Sequence, residues 1–98
     1  MKRAYLFAKL PITSQQYAVE KELILWRSVI DQAVQDLLSR EQTSEAASRK
    51  QEARIWLRGN SEDFWTVCFL ASLDPKEVTR KVEALIGGRN ELFKDPGT

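Results

Sequence analysis

The chain has 98 residues, with 15 Lys and Arg against 14 Asp and Glu, one Cys, three Trp and no His. A polypeptide of this length buries one modest core, which argues against a two-lobed enzyme with a cleft between domains. The lack of histidine removes Ser-His-Asp and Cys-His catalysis, histidine-based metal sites and imidazole proton shuttling.

The charge balance is even along the chain. Residues 1–48 hold six basic and six acidic side chains, and residues 49–98 hold nine and eight. A nucleic-acid contact therefore needs a local patch, because no bulk field is available. Cys68 has no partner for an intrachain disulfide and lies within the apolar run Phe64–Ala71, which reads as a buried thiol in a reducing, intracellular protein. Near the start, Lys2 and Arg3 precede Tyr5-Leu6-Phe7-Ala8, but Lys9 and Pro11 end that stretch too early for a signal peptide or membrane span.

Residues 1–12 read as an arm that packs through Tyr5, Leu6 and Phe7. From Thr13 or Ser14, apolar residues recur at Val19, Leu23, Trp26, Ile30, Ala33 and Leu37 in steps of four and three. This spacing predicts a long amphipathic helix to about residue 39, with Ile24, Val34 and Leu38 widening its stripe toward bundle packing. The polar stretch Ser39–Ser48 reads as a loop, with Thr43 or Ser44 capping a second helix that Gly59 and Asn60 stop after Arg58. Its apolar side is thin, and Lys50, Arg54 and Arg58 recur every fourth residue on another face.

Ser61, followed by Glu62 and Asp63, starts a third helix over about 62–71, where carboxylates suit the positive end of the helix dipole. That helix is apolar nearly all round, so it is either central or an interface, with Trp65 and Phe69 as exposed anchors in the second case. Asp74-Pro75-Lys76-Glu77 is the sharpest local signal, combining an N-cap, a proline suited to the first turn and a capping-box glutamate. It starts a fourth helix over about 75–86 that ends at Gly87-Gly88, leaving residues 87–98 as a loose tail with Leu92 and Phe93.

The third and fourth helices have the dimensions of a helix-turn-helix. Cys68 or Ala71, Leu73 and Val78 fill its packing roles, Ser72 stands where glycine is usual, and Lys81 stands where a further buried residue is usual. A fourth helix seated in a major groove would present Lys76, Thr79 and Arg80 to base edges, with Lys81 and the Lys50, Arg54, Arg58 stripe reaching phosphates. The plain alternative is a capped turn inside a small bundle.

Enzymatic activity is not expected. Glu20-Glu22 and Glu62-Asp63 do not converge on one point, Gly87-Gly88 lacks the continuation of a phosphate-binding loop, and Cys68 has no activating neighbour in sequence. No cofactor or metal is implied.

The stretch Trp56-Leu57, Ser61-Glu62-Asp63-Phe64, Val67-Cys68, Leu70-Ala71 and Leu73-Asp74-Pro75-x-x-Val78 resembles a pattern in small uncharacterised proteins encoded by phages and prophages. Trp26-x-x-Val29-Ile30-x-Gln32-Ala33-x-x-Asp36 resembles their upstream helix. The resemblance implies a phage or prophage product acting in a bacterial cytoplasm, of the size of regulators and host-takeover factors.

The reading is thus an all-α single domain: an arm at 1–12, a four-helix core at 13–86 and a tail at 87–98. Its core is expected to bury Leu23, Trp26, Ile30, Ala33, Val34 and Leu37 from the first helix. Trp56, Phe64, Val67, Cys68, Ala71, Leu73, Val78, Val82 and Leu85 complete it. The expected function is a small nucleic-acid-binding regulator using Lys50, Arg54, Arg58, Lys76, Thr79, Arg80 and Lys81. The alternative is a factor that blocks or redirects a host protein, such as an anti-CRISPR or polymerase-binding factor, through Trp65 and Phe69 or the basic stripe. A homodimer through that aromatic face is its structural variant.

Overall fold

The structure is a computed structural model in which Phe7 and residues 20–93 are described. It is all-α. Among the described residues five helices follow in order: α1 (Glu20–Leu38), α2 (Ser44–Leu57), α3 (Glu62–Leu70), α4 (Pro75–Ile86) and the short α5 (Arg89–Leu92). The expected helix start at Thr13 or Ser14, and the placement of Tyr5, Leu6 and Val19, fall outside the described residues.

The starts of α2, α3 and α4 follow from their capping residues. Thr43 Oγ1 accepts the Ala46 N–H at 3.0 Å, Ser61 Oγ accepts the Phe64 N–H at 3.1 Å, and Asp74 Oδ1 accepts the Lys76 N–H at 3.0 Å with Pro75 in the first turn. Glu77 does not close a capping box; its carboxylate accepts from Arg80 one turn on, at 2.6 Å.

α1 packs on both α2 and α3, and α4 closes the far side against α3 and α2. The buried line of α1 is Leu23, Arg27, Ile30, Val34 and Leu37, a four-three spacing with an arginine in one core position. Trp26 and Ala33, expected in that line, lie on its half-buried flank. Ala53 and Leu57 of α2, Phe64, Val67 and Cys68 of α3, and Val78 and Val82 of α4 meet it in one cluster. Trp56 sits edge-on to Phe64, with ring centroids 4.9 Å apart, while its Nε1–H donates to Asp63 at 2.8 Å, so one half-buried side chain locks the end of α2 to the start of α3.

Three further features depart from the sequence reading. Leu85 is exposed and Ile86 is half-buried in its place, because the inward residues of α4 step by four from Val78 through Val82. Leu73 is half-buried. The segment read as a loose tail carries α5 and buries Leu92 completely, since Gly87 and Gly88 both hold left-handed φ values (103° and 117°) that fold the chain back onto α4 and α2.

The α3–α4 connection is tight despite its lack of glycine. Leu73 N–H donates to Cys68 O at 2.9 Å and Ser72 N–H to Phe69 O at 3.1 Å, a Schellman-type end that requires a left-handed residue at Ser72, whose φ is 54°. A side chain there opposes the turn by about 1 kcal/mol. Ser72→Gly should therefore raise stability by roughly 0.5–1 kcal/mol, and Ser72→Val should lower it, both read from urea midpoints.

Candidate nucleic-acid interface

The residues singled out from sequence divide by what their side chains already hold. Lys76, Arg80 and Lys81 are exposed on α4, the first two on the side opposite Val78 and Val82 and Lys81 on the flank, and the Arg80–Glu77 ion pair is itself exposed and adds little stability. Thr79 does not face outward: it is half-buried and donates its hydroxyl proton to Leu57 O at 3.0 Å, tying α4 to the end of α2. The same approach explains Gly59, whose φ is +82° and where a Cβ would come within 2.8 Å of Thr79 Oγ1.

Arg58 is likewise tied to the fold. Its Nε–H donates to Leu92 O at 3.0 Å, and its guanidinium lies 5.7 Å from the Phe93 ring centroid, with Arg89 at 4.6 Å from the same ring. Lys50 Nζ reaches Ser39 O at 3.5 Å and Arg54 donates to Gln51 at 3.1 Å, leaving Arg54 Nε buried without a hydrogen-bond partner. Arg58 and Thr79 thus serve structure first, while Lys76, Arg80 and Lys81 are exposed on α4.

The stripe on α2 nevertheless organises a surface. Lys50 to Arg58 spans about 12 Å of helix, and the stripe opens into a groove at each end. At one end, a groove of about 350 Å³ beside α5 is flanked by Arg40, Lys50 and Arg54 against Glu91 alone. At the other, a groove of about 420 Å³ is flanked by Arg58, Lys76 and Arg89 against Glu83 alone. The groove between α1 and α2, about 450 Å³, has the reverse balance, with Asp36, Glu52 and Asp63 against Arg49. A chain of net charge +1 therefore segregates its charge by face, which neither its total nor its halves revealed.

Sequence reasoning missed Arg40 and Arg89 as members of the basic face. Arg40 sits in the loop after α1, which the packing of α1 on α2 brings beside Lys50, and Arg89 starts α5, which packing against α2 and α4 brings to the stripe. A signal for Arg89 was present in the pair Gly87-Gly88, which turns the chain back.

Trp65 and Phe69 are both exposed, Phe69 at 80% and Trp65 at 46%, with Leu70 at 40% beside them on α3. Trp65 is held in place by its Nε1–H donating to Gly59 O at 2.7 Å. Cys68, one residue away from Phe69, is fully buried; desolvation and then the negative charge of Asp74 raise its thiol from the usual value near 9 to about 11. It is protonated at neutral pH and offers no nucleophile.

Among the described residues no group of three or more Cys, Asp or Glu is placed to hold a metal ion, and no helix is long and apolar enough to cross a membrane. In comparisons with known proteins, no family model, curated protein or solved structure matches the chain.

Proposed function

We propose that this chain is a small nucleic-acid-binding regulator of the phage or prophage type. Its exposed α4 side chains Lys76, Arg80 and Lys81, with the cations along α2, neutralise phosphates. The observation that carries the reading is the segregation of charge. Each groove along the α2 stripe sets three cations against one carboxylate, while the α1–α2 groove carries the opposite excess. The tight α3–α4 turn supports it, because it holds α4 as a presented helix whose outward side is basic.

The test is charge reversal on that helix. The double variant Arg80→Glu/Lys81→Glu should reduce the salt dependence of binding by about two phosphate contacts and weaken binding at least about tenfold across sequences. Reversal of Asp36 and Glu52, on the acidic side, should leave binding unchanged or strengthen it. Unchanged affinity in the α4 double variant sinks the reading.

A second reading is favoured by Phe69, a large ring 80% exposed one turn from Trp65. It makes the outer side of α3 a contact for a host protein. On that reading Phe69→Ala abolishes partner capture while leaving nucleic-acid affinity and folding intact.

A further inference from the structure

We infer that the groove between the end of α2, the starts of α3 and α4, and α5 receives an unpaired nucleotide, so that the preferred ligand is a single strand rather than an intact duplex. The inference rests on the nucleic-acid reading above and names the form of nucleic acid that reading leaves open.

The groove is built for more than charge. It is an open groove of about 420 Å³ along the surface. Two aromatic rings line it, Trp65 and Phe93. Both are fixed: the Trp65 indole by its 2.7 Å hydrogen bond to Gly59 O, and the Phe93 ring by the guanidinium groups of Arg58 and Arg89 at 5.7 and 4.6 Å from its centroid. Nearly half of the Trp65 surface is open to solvent. An aromatic ring held rigid and left open is a stacking platform whose ordering entropy is already spent.

The polar lining matches the other parts of a nucleotide. Lys76, Arg58 and Arg89 supply positive charge for a phosphodiester, and Asn60 and Glu83 supply side-chain groups for base edges, Glu83 accepting from an amino or imino N–H. A base within a duplex has both faces stacked and its pairing edge occupied, so it cannot offer them to Trp65 or Glu83. A splayed base in a single strand can. Cationic grooves combined with aromatic platforms are the physical basis of strand binding that tolerates any sequence. The α4 face alone, with Arg80 and Lys81 outside this groove, would be indifferent to strand form.

The experiment compares fluorescein-labelled probes by anisotropy in the same moderate salt: an oligothymidylate of about 12 nucleotides, within the usual site size, an abasic strand of equal length, and the matching duplex. The oligothymidylate should bind about tenfold or more tighter than either of the others. Trp65→Ala should remove about tenfold of that affinity, and Trp65→Phe, which keeps a ring but loses the hydrogen bond to Gly59 O, should restore part of it, with thermal unfolding confirming that both variants fold. Equal binding of the abasic and thymidine strands overturns the inference but leaves the electrostatic reading standing. So does a duplex that binds as well as the single strand with no response to Trp65→Ala. Absence of binding by all three probes removes both. Tight binding of free thymidine monophosphate, with no gain from the strand, makes the groove a small-molecule site and also overturns the inference.

Discussion

Phe64→Ala should destabilise the protein by about 3–5 kcal/mol, enough to leave a domain of this size largely unfolded at 37 °C. Phe64 is fully buried at the first turn of α3, its N–H is held by the Ser61 cap, and its ring receives the edge of Trp56 at 4.9 Å. Truncation removes the largest fully buried side chain at the meeting of α2 and α3 and leaves a cavity that these locked neighbours cannot collapse. Phe64→Leu, which retains most of the volume, should lose much less. The two are separated by urea unfolding followed by circular dichroism. A loss below about 1 kcal/mol for Phe64→Ala would contradict this account of the core.

Asp31→Ala should cost about 3 kcal/mol, an unusual loss for a charged residue in a surface-rich domain. Asp31 is 4% exposed, and its Oδ1 accepts the N–H of Phe7 at 2.9 Å, a bond that fastens the buried ring of Phe7 to the core from 24 residues away. One helical turn earlier, Arg27 is 3% exposed and donates from Nε to Ala71 O at 2.9 Å, closing the end of α3. Removing the carboxylate leaves a buried N–H without its acceptor. Asp31→Asn keeps an acceptor oxygen and should recover part of the loss. Equal stability of the alanine variant and the native protein would show that Phe7 is held by its apolar contacts alone.

These two residues also mark where the sequence stops being readable. The helix ends were legible because Thr43, Ser61 and Asp74-Pro75 act locally, each on a backbone N–H two or three residues ahead. Arg27 and Asp31 were not, since oppositely charged residues four apart on a helix read as a solvated pair, and their partners at Phe7 and Ala71 are distant in the chain. The same division holds on the basic face. The Lys50, Arg54, Arg58 spacing is written in α2, and the exposed basic positions of α4 follow from the inward placement of Val78 and Val82. The groove that joins Arg58 to Lys76, Arg89, Trp65 and Phe93 exists only because paired left-handed glycines return α5 to the core. Thr79 shows the converse, a residue placed on the outer face by pattern and drawn inward by the carbonyl of Leu57.

The central claim, that the basic face along α2 and α4 binds nucleic acid, is tested most directly by anisotropy of labelled random-sequence single- and double-stranded DNA at about 50 and about 200 mM salt. With roughly four phosphates neutralised, affinity should fall on the order of 10²-fold between the two conditions. No binding to either form at the lower salt, or binding that salt does not weaken, would contradict it.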